Sequence, residues 1–229
     1  MPITRLSFRI LDMEKVFIFD FDGVLADTRE LMLRHAEAVC AQLGRPCRAT
    51  AADLEALDPM NFTELGRKLG IPEEQVEEFT RRNIELFAAV QEPLAIFPGM
   101  ADALAHLSAL GRTAVVTSNG IQVVRKFLAH HGLGEYVELL LGQEDPGTRA
   151  EKIACLAGAL GAPGSAVYVI GDSVSDIRAA RQAGVRSVAV TWGHQSKAKL
   201  LSLAPDHLVE RPAALLDIFR EDDKLVTHN

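Results

Sequence analysis

Two apolar runs that each break into acidic residues constrain this chain more than any other feature. Val16-Phe17-Ile18-Phe19 leads into Asp20-Phe21-Asp22-Gly23, and Ala166-Val167-Tyr168-Val169-Ile170 leads into Gly171-Asp172-Ser173-Val174-Ser175-Asp176. A short continuous apolar run reads as a strand buried on both faces, the pattern of a parallel sheet. Both sets of carboxylates therefore emerge where a strand leaves the core, the edge at which open α/β sheets bind ligands. Four carboxylates gathered there repel one another unless some are protonated or a hard cation neutralises them, which points to magnesium.

The chain between these runs changes texture. Residues 28–93 hold no convincing strand, and Leu31, His35, Val39 and Leu43 repeat at helical spacing before Gly44. Val76, Phe79, Asn83, Leu86 and Val90 do the same after Pro72, a first-turn proline, and a shorter helical stretch covers 62–69. From Phe97-Pro98-Gly99 onward, helices are expected over 100–110, 123–131, 151–160 and 176–183, and strands over 113–117, 137–141, 166–170 and 187–191. Such alternation predicts βαβ units. The fold class is α/β, a Rossmann-like parallel sheet core flanked by helices with a small α-helical cap. Residues 1–27 and 94–229 form the core domain, and 28–93 form the cap. Residues 1–12, with Arg5 and Arg9 and no acid before Asp12, read as a loose extension.

At 229 residues and 48% hydrophobic, the chain can bury a proper core in one or two domains. A net charge of −7 leaves no basic stripe for a phosphate backbone, so nucleic acid is not expected as a partner. Cys40, Cys47 and Cys155 form no C-x-x-C pair and read as reduced residues of a cytoplasmic protein. No apolar stretch reaches the ~18 residues of a membrane span.

The motifs resemble those of the haloacid dehalogenase-like hydrolases, in their phosphatase branch. Asp20 to Thr28 matches the first motif, Thr117-Ser118-Asn119 after Ala114-Val115-Val116 the second, and Gly171 to Asp176 the fourth. The third is a lysine near a helix start. Lys152 is assigned there, opening the stretch Ile153, Leu156, Ala157 and Leu160, with Arg149 as first alternative. Relatives often place a proline after that lysine, where this chain has Ile153.

The resemblance implies an aspartyl-phosphate mechanism, with Asp20 as nucleophile and Asp22 as acid and then base. Magnesium would be held by the carboxylates of Asp20 and Asp172 and the backbone carbonyl of Asp22, with Asp176 orienting Lys152 or a water. The Ser118 hydroxyl and the amides of Asn119 and Gly120 would donate to a phosphoryl oxygen, helped by Lys152. Gly23 lets the backbone approach closely. The partner implied is a small phosphorylated metabolite, phosphoglycolate or a sugar phosphate, selected by cap residues among Asn61, Thr63, Arg67 and Lys68.

His194, after Trp192-Gly193, is read as structural rather than catalytic. A β-phosphoglucomutase-like mutase is the nearest rival, but its relatives carry a histidine where this chain has Met32, with His35 one turn further on. Dehalogenases lack the aspartate corresponding to Asp22. A phosphoaspartate signalling module would be about half this length, with no helical insert.

Overall fold

The computed structural model describes residues 15–219, so the extension read at 1–12 lies outside the described residues. The first apolar run is β1 (Lys15–Phe19), which sits inside the sheet. Then come β2 (Ala26–Asp27), β3 (Ala95–Ile96), β4 (Gly111–Val116), β5 (Leu139–Leu141), β6 (Val167–Gly171), β7 (Arg186–Val190) and β8 (His207–Val209). Six of these form one parallel sheet in the order β5-β4-β1-β6-β7-β8.

Successive side chains of a strand point to opposite faces, so β1 feeds two cores at once. Phe17 and Phe19 pack on one face with Met100 and Leu104 of α5 (Met100–Leu110) and Phe127 of α6 (Ile121–His130). Val16 and Ile18 pack on the other with Ile153 and Leu156 of α7 (Arg149–Ala159) and Ala179 and Ala180 of α8 (Val174–Gln182). Each fully buried large apolar side chain is worth about 1.5–3 kcal/mol, and a sheet covered on both faces collects that twice.

The chain runs from β1 to β4 and outward to β5, then crosses back to β6 on the other side of β1. This reversal opens a crevice beyond the carboxyl end of β1, between the segments that follow β4 and β6. Residues far apart in sequence are thereby brought to one place.

Between β2 and β3 lie α1 (Arg29–Gln42), α2 (Ala51–Ala56), α3 (Phe62–Lys68) and α4 (Glu73–Ala89), with an apolar core of their own that includes Val39, Leu54, Leu65 and Phe79. The two-residue ribbon pairs Ala26 with Ile96 and Asp27 with Ala95, which ties both ends of the helical insert beside the sheet edge. Several short elements have no counterpart in the sequence reading, among them α2, the two strands of the ribbon, α9 (Lys197–Leu201) and β8. They are too short to show a period; α2 has one buried side chain, Leu54, and starts with a Thr50–Asp53 capping box instead. Among the described residues no helix is long and apolar enough to cross a membrane.

Candidate active site

The Asp20 backbone amide donates to the Ile170 carbonyl at 2.9 Å, extending the sheet by one residue and aiming the buried Asp20 carboxylate into the crevice. The chain then turns tightly, with the amides of Leu25 and Ala26 both donating to the Phe21 carbonyl. Gly23 permits that turn at φ +77°, and a Cβ there would lie 2.1 Å from Asp172 Oδ2 and 2.3 Å from His194 Nδ1. Asp22 is reached by the Asn119 side-chain amide at 3.3 Å, while its Oδ1 is buried without a partner. Burial raises the Asp22 carboxyl above its ordinary pKa.

After β6, Asp172 Oδ2 accepts the backbone amide of His194 at 2.6 Å and pairs with its Nδ1 at 2.7 Å. Four residues on, Asp176 closes a capping box at the start of α8: the Ser173 hydroxyl donates to its Oδ2 at 2.6 Å and the Ser173 amide at 3.1 Å. Carboxylate oxygens of Asp20, Asp172 and Asp176 lie within 4.8 Å of one another, the one such cluster among the described residues able to hold a metal. The Asp22 carboxylate is outside that cluster; the resemblance brings Asp22 in through its backbone carbonyl.

Burial raises the Asp20 carboxyl well above its ordinary value; Arg149 pulls it down, and Asp176, Asp172 and Asp22 push it further up. Burial raises Asp176 as well, against the pull of Arg149.

The cation that meets these carboxylates is Arg149 at the first turn of α7. Its Nη1 lies 2.6 Å from Asp176 Oδ1 and 3.1 Å from Asp20 Oδ1, and its Nη2 donates to Ser118 Oγ at 3.2 Å. Burial opposes its charge, but the two carboxylates outweigh that and its pKa is raised. Lys152 is also buried, yet its Nζ donates to the Gly142 carbonyl after β5 at 2.6 Å. The structure thus brings Arg149, and not Lys152, against Asp20, Asp176 and Ser118. The loop after β4 also differs from expectation. The Asn119 amide donates to Thr117 Oγ1 and the Gly120 amide to Asn119 Oδ1, both at 2.9 Å, so neither is free for a phosphoryl oxygen.

A family model for the haloacid dehalogenase-like hydrolases matches residues 17–190. The chain belongs to that family. It is 29% identical over 203 residues to a phosphoglycolate phosphatase of Synechococcus elongatus, covering 88% of this chain and 95% of the relative. It is 28% identical to the probable phosphatase IndB of Dickeya dadantii, covering 86% and 90%. The crystal structure of a predicted phosphoglycolate phosphatase from Haemophilus somnus shares the fold with a TM-score of 0.78 at 20% identity, over 91% of this chain and 99% of that one.

In this hydrolase the carboxylate site opens into a cavity of about 120 Å³ beneath the helical insert. Asp20, Asp22, Ser118, Asn119 and Arg149 line it from the core, and Asn61 and Thr63 from the insert. Arg67 and Lys68 are exposed and do not line it; Arg67 pairs outside with Glu64 and Glu73. His194 is the lining residue that the sequence reading set aside. It is buried, its Nε2 has no partner, and Asp172 raises its pKa against the opposing effect of burial. Its position just after a parallel strand, like Asp20, Ser118 and Asp172, is the signal that could have found it.

Proposed function

We propose that this hydrolase is a magnesium-dependent phosphatase that cleaves small phosphate monoesters through an aspartyl-phosphate on Asp20. The observation that carries the reading is the buried Asp20 carboxylate held beside Asp172, Asp176 and Arg149 at the floor of the cavity beneath the insert. One Asp20 oxygen attacks phosphorus and the ester oxygen leaves as the alcohol, taking its proton from Asp22. Asp22 then accepts a proton from water, which attacks the acyl phosphate, releases phosphate and regenerates Asp20. The raised pKa of Asp22 suits the first of these roles.

The residues present fit a divalent cation. Carboxylate oxygens of Asp20, Asp172 and Asp176 crowd within 4.8 Å of one another, and burial pushes Asp20 and Asp176 toward their protonated forms, so the ionised cluster calls for more positive charge than Arg149 supplies. Asp20, Asp172 and the Asp22 carbonyl would hold the ion, with Asp176 on Arg149 and Ser173. When bound, magnesium neutralises the carboxylates and the phosphoryl oxygens. Arg149 supplies the cation that the resemblance assigns to a lysine, and its planar fork donates to two groups at once. Ser118 holds the remaining side of the phosphate. The insert, residues 28–93, acts as the cap that excludes water.

The mutase alternative has less support. Met32 lines the cavity, and His35 packs edge-on against Phe87 at 5.1 Å, outside the lining. The test is magnesium-dependent phosphate release from a panel of small esters that includes phosphoglycolate and sugar phosphates, with Asp20→Asn as control. Release needing both magnesium and Asp20 is the expected result; release indifferent to either would overturn the assignment.

A further inference from the structure

Every ionisable side chain lining the cavity belongs to the core: Asp20, Asp22, Arg149 and His194. The insert contributes none. Its share of the wall is Met32 from α1, Met60 from the loop before α3, Phe62 from the start of α3, and Ile84 and Phe87 from α4, with three small polar side chains. Those three are partly spent on one another and on the backbone. Thr63 Oγ1 and Thr80 Oγ1 lie 3.2 Å apart in a mutual hydrogen bond, and Asn61 Oδ1 accepts the Glu64 amide at 2.8 Å.

The basic side chains of α3 and α4 face elsewhere. Arg67 pairs with Glu64 and Glu73, and Arg81 and Arg82 pair with glutamates of α4, on exposed or half-exposed surface. The one lining guanidinium, Arg149, is already engaged by Asp20 and Asp176.

Once a phosphoryl group sits on Asp20, the organic part of the ester projects toward this apolar wall. A carboxylate placed against that wall would lose its water without meeting a cation of the insert, and a polyol there would lose more hydrogen bonds than the insert's two paired threonines and one asparagine can return. A cavity of about 120 Å³, against roughly 300–1,000 Å³ for drug-sized ligands, also limits size. We infer that the preferred substrate is a phosphate monoester of a compact, uncharged and largely apolar alcohol, and that phosphoglycolate and sugar phosphates are poor substrates. This rests on the phosphatase reading for the placement of the phosphoryl group.

The experiment pairs turnover with binding on the whole chain in magnesium. Butyl phosphate is compared with phosphoglycolate, which has an organic group of equal heavy-atom count, and with glycerol phosphate. Calorimetry compares butylphosphonate with phosphonoacetate, which need no turnover. The expected result is a kcat/KM for butyl phosphate at least about 10²-fold above that for phosphoglycolate, and a matching order of phosphonate affinities. Ile84→Lys, which adds a cation to the half-buried wall, should narrow the gap by about 10-fold or more.

Equal or better use of phosphoglycolate overturns the inference and leaves the phosphatase standing. Tighter binding of butylphosphonate with no ester hydrolysed keeps the inference about the wall and removes the phosphatase. Failure of butylphosphonate to bind overturns it.

Discussion

The two walls of the cavity are built on opposite principles. The core wall is a set of charged side chains, most of them held by a neighbour: Asp172 by two donors of His194, Asp176 by Ser173 and Arg149, Arg149 by Asp20 and Ser118. The wall from the insert is apolar, with its charges turned outward. Electrostatic catalysis needs charges fixed before the reaction begins, and strand ends in a packed sheet fix them best. Selection of an organic group needs shape and exclusion of water, which a small helical unit can supply and vary without disturbing the sheet. The difference teaches that chemistry and selectivity in this chain are separable, and substitutions on each side should behave differently.

The largest effect is expected from Asp20→Asn, with phosphate release falling by about 10³-fold or more while the thermal midpoint stays near that of the parent. Loss of fold along with activity would blur the contrast. Next is the pair within α7. Arg149→Ala should lower kcat/KM by about 10²–10³-fold, with Arg149→Lys recovering part because a lysine restores charge but not the fork. Lys152→Met should cost less than about 10-fold in activity but about 1–3 kcal/mol in urea unfolding, because the buried Gly142 carbonyl loses its donor. If Lys152→Met proves the more damaging to kcat, the catalytic cation is the lysine and the core wall has been misassigned.

Gly23→Ala tests how tightly that wall is packed. The added methyl overlaps Asp172 and His194, so magnesium affinity measured by calorimetry should fall by about 10–100-fold, as for other changes that displace a ligand's support. The smallest effect belongs to the wall of the insert, where Ile84→Ala should raise KM for a short alkyl ester by about 10-fold with kcat little changed. An equal fall in kcat would show that the insert contributes to the chemistry after all.

Much of this was legible in the chain. The runs before Asp20 and Asp172 read as buried strands because fully covered strands carry apolar residues on both faces, and β1 and β6 do. The helical insert was legible from its 3.6-residue period over α1 and α4. The short elements were not, since two to six residues cannot display a period.

Residue type favoured Lys152 over Arg149, whereas the structure sets Arg149 against Asp20. The two stand three residues apart at the start of one helix, and which of them turns toward Asp20 depends on how α7 is rotated against β4. No local pattern encodes that rotation. The same holds for His194, whose partner Asp172 lies 22 positions earlier and meets it only because β6 and β7 are neighbours.

The sequence by itself determined the longer strands of the sheet, the insert between them and the carboxylates at strand ends, because local burial and periodicity are written in nearest neighbours. Only the tertiary structure decided which cation meets those carboxylates, which amides are already spent, and that the facing wall is apolar. Those outcomes depend on the packing of elements distant in the chain, where the rotation of a helix about its own axis decides which side chain reaches the site.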